Sequence, residues 1–215
     1  MKWWPTKKEI DVLLPLDGYN RWAATYHQES NPIKTLSDGL IEKLLPSLGD
    51  KTVLDAGCGT GKFCSFAEKQ HALKIVGLDL SPAMIEIARR RCPSVEFRCE
   101  DLYRSSIEEK FDVIICALVL AHLENIKPAL DNLLSALSPG GVMIITDFHP
   151  FLTLLHSKRT FRDLTSGRLF EIRHYLHLFQ EYVRCFAEHQ TVVEALEEPW
   201  FNNAPSVFAM RVRKN

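Results

Sequence analysis

Short apolar runs alternate along this chain with segments in which apolar residues recur every three to four positions. The runs predict strands buried on both faces, and the periodic segments predict helices that pack one face on a sheet. Strands are predicted at 52–54, 73–79, 95–99, 111–118 and 142–146, and helices at 36–48, 62–70, 82–88 and 126–137. This alternation is typical of an α/β fold with a parallel sheet.

The pattern changes after residue 150. Residues 158–177 predict a hairpin with a turn at 165–167, because the second arm alternates apolar and charged residues. A helix over 179–189 and two strands over 191–196 and 206–213 follow.

Composition narrows the possibilities only a little. The 215 residues are 46% hydrophobic and 25% charged with a net charge of −1, which predicts one globular domain and no nucleic-acid or membrane partner. Residues 1–5 show no signal-peptide core, and the six cysteines show no metal-binding spacing. We therefore expect a cytoplasmic protein with free thiols and no metal.

Residues 52–61, Thr-Val-Leu-Asp-Ala-Gly-Cys-Gly-Thr-Gly, hold the strongest chemical signal. A buried strand ends in an acid, three alternating glycines follow, and a helix begins. Glycines let the backbone turn tightly and let a ligand approach it closely. The spacing Gly-x-Gly-x-Gly, with Asp55 in front of it, favours a ligand with a cationic end over a pyrophosphate.

This stretch resembles motif I of the class I S-adenosylmethionine-dependent methyltransferases. Gly-Leu-Asp-Leu-Ser-Pro-Ala-Met at 77–84 and Leu-Ser-Pro-Gly-Gly at 137–141 resemble later blocks of the same family. The resemblance implies a Rossmann-like α/β fold with S-adenosyl-L-methionine as cofactor. Its seven-stranded, mostly parallel sheet has the order 3-2-1-4-5-7-6, helices cover both faces, and a hairpin lid follows strand five. The last two strands are expected to pair antiparallel.

The resemblance also implies an organisation of the single domain, 1–215. Residues 1–50 are expected to form N-terminal cap helices and 51–150 the cofactor-binding core. The lid hairpin is expected at 151–180, and 181–215 are expected to hold the C-terminal helix and the antiparallel strand pair.

By the same resemblance, Asp79 at the end of strand two accepts hydrogen bonds from the ribose hydroxyls, and Asp101 accepts one from the adenine amino group. Arg21 pairs with the cofactor carboxylate. The full set of expected cofactor contacts is Tyr19, Arg21, Tyr26, Asp55, Gly57, Cys58, Gly59, Gly61, Asp79, Leu80, Met84, Asp101, Leu102, Ala117 and Leu118. Structural alternatives remain for some of them: a packed helix face for 19–26 and a solvated loop acid for Asp101.

Two histidines are candidate catalytic bases. His149 follows strand five and His122 follows strand four, at the edge of the sheet where the cofactor is expected. A base is needed only if the nucleophile must lose a proton. We favour His149, because the resemblance gives His122 a packing or cofactor-facing role. The alternatives are a structural His122 and a His149 that merely begins the lid.

The substrate is the least determined feature. We expect methyl transfer to an oxygen or nitrogen of a small molecule or carrier-bound acyl group, by a monomer or homodimer. Residues 156–177 hold five Lys or Arg against two acids, which is consistent with an anionic substrate or an acidic carrier protein. The alternative is a solvated hairpin whose charges keep a sheet edge soluble. Other possibilities are a carboxyl methyltransferase on an acidic acyl substrate, an NAD-dependent oxidoreductase and a non-catalytic cofactor-binding subunit.

Overall fold

A computed structural model of the chain describes residues 10–27, 31–104 and 106–215. Residues 1–9, which include the segment expected to lack a signal-peptide core and the start of the expected N-terminal cap, lie outside the described residues. Among the described helices, none combines the length and the apolar character needed to cross a membrane.

The strands fall into one large sheet and two small ones. They are β1 Asp11–Leu13, β2 Thr52–Ala56, β3 Lys74–Asp79, β4 Glu96–Cys99, β5 Phe111–Ala117, β6 Leu137–Phe148, β7 Thr160–Arg162, β8 Leu169–Ile172, β9 Thr191–Glu197, β10 Trp200–Phe201, β11 Ala204–Pro205 and β12 Val207–Lys214. The large sheet has seven strands in the order β4-β3-β2-β5-β6-β12-β9. In the numbering of the core strands this is 3-2-1-4-5-7-6, so the predicted fold is confirmed. Strand β12 runs antiparallel to both of its neighbours.

Helices cover both faces of this sheet. They are α1 Pro15–Trp22, α2 Pro32–Leu44, α3 Lys62–Lys69, α4 Pro82–Arg91, α5 Lys127–Ala136, α6 Pro150–Leu154 and α7 Phe179–Glu188, with a short 3₁₀ turn at Leu120–His122. Side chains cap the starts of α2 and α4: Asn31 accepts from the amides of Ile33 and Lys34, and Ser81 accepts from the amide of Met84.

The core has two main layers, because neighbouring residues of a strand point to opposite faces. Leu54 and Ile114 pack with α5 and α7 on one face. Val53 and Ile115 pack with α2 and α3 on the other. Each fully buried aliphatic side chain of this kind contributes about 1.5–3 kcal/mol relative to an exposed one. This packing fixes the strand ends at which the candidate site lies.

Several element boundaries differ from the prediction. The helix expected over 19–26 is α1, which begins at Pro15 and ends at Trp22. Pro15 starts this helix instead of breaking it, since proline is tolerated where the amide has no helical partner. The helix expected over 36–48 is α2, which begins earlier, at Pro32. Residues 138–141, which lie between the predicted helix at 126–137 and the predicted strand at 142–146, are part of β6, as is Leu137, which pairs with Phe111.

The lid is more elaborate than a hairpin. Strands β7 and β8 pair antiparallel as expected, but β1 adds to β8 in parallel and makes a three-stranded sheet. Trp22 of α1 packs beneath this sheet with Phe161, Phe170 and Ile172. The N-terminal segment and the lid therefore form one assembly.

Candidate active site

A cavity of about 790 Å³ lies at the carboxyl edge of β2, β3 and β5, below the N-terminal segment. This volume is in the usual range for small-molecule sites. The predicted site residues that line it are Tyr19, Tyr26, Gly57, Gly59, Asp79, Leu80, Met84, Asp101, Leu102, Ala117, Leu118 and His122. Arg21, Asp55, Cys58, Gly61 and His149 are not among its lining residues.

The three glycines of the loop have different surroundings, although all have positive φ. A Cβ on Gly57 would lie 2.1 Å from Cγ2 of Val119, and one on Gly61 would lie 3.1 Å from Cβ of Ala88. At Gly59 the nearest heavy atom is Cε1 of Tyr26, 3.9 Å away. Gly57 and Gly61 therefore allow close packing of the protein, and Gly59 leaves space for a ligand against the backbone.

Asp79 joins the end of β3 to the glycine loop. Its carboxylate accepts hydrogen bonds from the amide of Gly59 and the amide of Ser81, each at 2.8 Å. Burial raises the pKa of Asp79, and these hydrogen bonds partly oppose that shift. The result is a fixed pair of acceptor oxygens in the cavity wall, as hydroxyl groups of a ligand require.

Leu118 forms another wall of the cavity with an unusual backbone. Its φ is +58°, in the left-handed region that residues with a Cβ seldom adopt. Its amide donates to the carbonyl of Thr146 at 2.8 Å, which holds the turn between β5 and the 3₁₀ segment. Such strain is common at functional sites.

Comparison with known proteins identifies the family. Residues 53–141 match the family model described as "Methyltransferase domain". This range covers the glycine loop and the ends of β3 and β5, which line the cavity. Residues 53–141 are therefore assigned to a methyltransferase domain, and the strand order of the sheet is the one expected for the class I fold. This match and the antiparallel β12 argue against the alternative of an NAD-dependent oxidoreductase.

Curated relatives support the same assignment. The chain is 31% identical over 149 residues to a malonyl-[acyl-carrier protein] O-methyltransferase of Bacillus cereus, covering 65% of this chain and 54% of that protein. It is 36% identical over 110 residues to dTDP-4-amino-2,3,4,6-tetradeoxy-D-glucose N,N-dimethyltransferase of Saccharopolyspora spinosa, covering 49% of this chain and 43% of that protein. The chain thus spans about half the length of the curated relatives it matches.

A solved structure shows the same fold. The N-methyltransferase NodS from Bradyrhizobium japonicum, in complex with S-adenosyl-l-homocysteine, has a TM-score of 0.70 and 20% sequence identity. The match covers 94% of this chain and 99% of that one.

Some residues for which we expected contact with the cofactor lie beneath the glycine loop. Asp55 is 1% exposed and accepts a hydrogen bond from the thiol of Cys64. Burial raises the pKa of Asp55 to about 7. Cys58 is also buried. The side chains of Asp55 and Cys58 are therefore enclosed under the loop and support it. Contact of Asp55, Cys58 and Gly61 with the cofactor stays a prediction.

Arg21 also departs from its expected role. It is exposed on α1, and its guanidinium carbon lies 5.4 Å from the centre of the Phe170 ring in the lid sheet. Both Arg21 and Tyr19 belong to α1, where Arg21 faces the lid sheet and Tyr19 lines the cavity. The structure therefore does not support a pair between Arg21 and the cofactor carboxylate.

His122 is held as a neutral ring. Its Nδ1 lies 2.8 Å from the carbonyl oxygen of Arg173, which only accepts, so Nδ1 carries the proton. Its Nε2 then accepts from the hydroxyl of Tyr19 at 2.8 Å. Burial, assisted by the charge of Arg159, lowers the pKa of His122 to about 3. A ring with this pKa is a poor proton acceptor at neutral pH, so His122 orients Tyr19.

His149 does not reach the cavity, and its assignment as the favoured base is corrected. Its Nδ1 accepts from the amide of Phe151 at 3.1 Å and so caps α6. Its Nε2 donates to Glu198 at 2.8 Å. Both ring nitrogens are occupied by structural hydrogen bonds, which agrees with the alternative that His149 begins the lid.

Arg159 is a buried lid residue that the sequence did not distinguish from its neighbours. It is 9% exposed, and its guanidinium carbon lies 3.3 Å from the centre of the Phe148 ring. Its Nη2 is 3.7 Å from Asp147, whose carboxylate already accepts from the amides of Ala121 and Phe148. Only the local excess of lid charge pointed to this region, and it did not separate Arg159 from four other basic residues.

Proposed function

We propose that this protein is an enzyme that transfers a methyl group from S-adenosyl-L-methionine to an oxygen or nitrogen of a small molecule or carrier-bound acyl group. The observation that carries this proposal is the cavity at the carboxyl edge of the sheet. Gly59 leaves open backbone there, and the acceptor oxygens of Asp79 lie beside it. The family match of residues 53–141 supports it.

The residues that line the cavity fit this cofactor. Gly59 offers its backbone to the methionine end, and Asp79 offers two oxygens to the ribose hydroxyls. Asp101 and Leu102 line the part assigned to adenine, and Met84 supplies apolar wall. When bound, the cofactor supplies a methyl group on a sulfonium sulfur, which is an excellent leaving group.

The chain itself contributes orientation and exclusion of water. Tyr19 and Tyr26 lie over the cavity, with Tyr19 fixed by its hydrogen bond to His122. Methyl transfer requires the nucleophile to lie in line with the methyl group, which a rigid wall favours. Since His122 stays neutral and His149 lies elsewhere, we infer a nucleophile that already carries a free lone pair at neutral pH.

The relatives support both kinds of acceptor atom. One is named for O-methylation of a malonyl carrier protein and another for N,N-dimethylation of a nucleotide sugar. We propose that this chain acts in the cytoplasm, as a monomer or homodimer, on a substrate of this size range. A carboxyl methyltransferase acting on an acidic acyl group remains the second candidate, supported by the first relative and by the buried Arg159.

The test uses purified protein, cofactor carrying a labelled methyl group, a metabolite extract and, separately, an acyl-carrier-protein fraction. We expect label to enter one pool with the parent protein and not with Gly59→Val. Release of the label by mild alkali would identify a methyl ester. Tight binding of S-adenosylhomocysteine without transfer to either pool would instead favour a non-catalytic cofactor-binding subunit.

A further inference from the structure

The guanidinium of Arg159 is buried without hydrogen-bond partners. Nη1 and Nη2 of Arg159 and Nε1 of Trp22 are the fully buried side-chain nitrogens or oxygens left unpaired in residues 10–27, 31–104 and 106–215. Unpaired buried donors are costly, and those of a charged group most of all. Two orphaned donors on one guanidinium therefore indicate a group that pairs with something outside the chain.

The surroundings fix the orientation of the Arg159 guanidinium. The face of the guanidinium stacks on Phe148, and Asp147 lies near one Nη at 3.7 Å, beyond hydrogen-bond distance. The carboxyl end of β6 therefore holds Arg159 in place while its two Nη atoms stay unsatisfied. Such a planar fork matches the two oxygens of a carboxylate or phosphate.

Arg159 lies next to the wall of the methyltransferase cavity. Asp147, which lies 3.7 Å from Nη2 of Arg159, accepts a hydrogen bond from the amide of Ala121, and the next residue, His122, lines that cavity. A group held by Arg159 would thus lie next to this part of the cavity wall.

Three other basic residues of the lid are used differently. Lys158 pairs with Glu171 at 2.8 Å, and Arg168 pairs with Asp11. Arg162 donates to the carbonyl of Gly167 at 2.8 Å. These contacts lie on the surface of the lid sheet, so the charge excess of the segment does not converge on one anion.

The local charge favours a singly charged anion. Burial and the charge of Arg159 lower the pKa of both His122 and His174, so neither ring adds positive charge near neutral pH. Asp147 offsets part of the charge of Arg159. One partly balanced cation suits a carboxylate, whereas a phosphate dianion would need more positive charge.

We propose that Arg159 binds a carboxylate of the substrate through its two Nη atoms, so that the methyl acceptor is a carboxylic acid or an acyl group ending in a carboxylate. This inference rests on the proposed methyltransferase function and names its substrate class. Arg159 is then the specificity-determining residue of the lid.

The test is a ligand-observed NMR titration of protein saturated with S-adenosylhomocysteine. The probes are malonate, succinate and benzoate, each compared with its amide, and phenyl phosphate. We expect at least one carboxylate to bind the parent more tightly than its amide does. Arg159→Met should weaken that binding by roughly 10- to 100-fold, the usual range for hydrogen bonds to a charged group.

Two further variants complete the design. Arg162→Met removes a lid arginine of the exposed surface and should leave carboxylate binding unchanged. Arg159→Lys keeps the charge but not the fork, so it should bind carboxylates more weakly than the parent. Arg159→Lys also replaces Arg159→Met in the binding test if Arg159→Met fails to fold. All variants that fold should bind S-adenosylhomocysteine as the parent does.

Several results would overturn the inference alone: no carboxylate binds the parent, Arg159→Met or Arg159→Lys binds it equally well, or phenyl phosphate binds more tightly than benzoate. If the parent fails to bind S-adenosylhomocysteine, the proposed function fails, and the inference falls with it.

Discussion

The cofactor half of the cavity and the lid half are built in different ways. In the cofactor half, backbone groups form the surface: the amide of Gly59 bonds to Asp79, only 20 positions along the chain. In the lid half, side chains from distant segments meet, as in the bond between Tyr19 and His122, 103 positions apart. A local motif therefore shapes the first region, and tertiary packing assembles the second.

This difference indicates how the two halves should respond to substitution. Changes in the glycine loop should affect ligand binding while the core, which depends on the buried strands, stays folded. Changes in the lid should affect stability, because its aromatic cluster of Trp22, Phe161 and Phe170 joins three separate segments.

The largest effect is expected at Gly59. A valine there would fill the open space beside Tyr26 and would hold a β-branched residue at positive φ. We expect Gly59→Val to abolish measurable binding of S-adenosylhomocysteine in calorimetry while the circular dichroism spectrum stays that of the parent. Gly167→Val is the matched control, since Gly167 also has positive φ and open space but lies in the lid turn. Similar binding by both variants would contradict the assigned role of the loop.

The next effect is expected at Asp79. Asp79→Ala removes both acceptor oxygens from the cavity wall and should weaken binding of S-adenosylhomocysteine by roughly 1.5–3 kcal/mol. The control is Asp163→Ala, because Asp163 accepts from the amide of Ser166 within the lid turn. That variant should lose some stability but keep its affinity. Unchanged affinity in Asp79→Ala would remove Asp79 from the site.

A pH-dependent effect is expected at Asp55, whose pKa is about 7 in the folded protein. A carboxyl in an unfolded chain has a pKa of about 3.9, so folding takes up a proton between these values. Stability should therefore fall as the pH rises from about 4 through 7. Asp55→Asn removes this titration. We therefore expect the free energy of unfolding of Asp55→Asn minus that of the parent to be about 2 kcal/mol larger at pH 8 than at pH 5. Urea unfolding at the two pH values measures this, and a pH-independent difference would refute it.

The smallest effect is expected at Tyr19. Tyr19→Phe removes the hydrogen bond to Nε2 of His122 and should lower the free energy of unfolding by about 1 kcal/mol. Tyr103→Phe is the control, because Tyr103 is exposed at the cavity rim. Equal stability of both variants in urea would show that the bond does not tie the N-terminal helix to the core.

The sequence predicted the cofactor half well for a physical reason. Strand periodicity and a local glycine motif determine β2, the loop and α3 together, and the order of the sheet follows from the family resemblance. Asp79 was expected at the cavity because it ends a buried strand, and Gly59 because glycine spacing marks a close backbone approach; both line the cavity, and their contacts with the cofactor stay predictions.

The lid half was predicted less well, because its contacts are not local. Nothing near residues 11–13 signals that they join β8, and nothing near Arg159 signals that it is buried. For His149 a signal existed: Pro150 stands at the first position of a helix, which makes the preceding residue a cap. The prediction of His149 as a base rested on its place after a strand. Its position as the cap of α6 determines its contacts instead.

The central claim is that the cavity between the glycine loop and α1 binds S-adenosylmethionine. The most direct test is isothermal titration of the parent protein with S-adenosylhomocysteine and, separately, with NAD. We expect one molecule of S-adenosylhomocysteine to bind per chain and no heat from NAD. Binding of NAD, or no binding of S-adenosylhomocysteine, would contradict the claim.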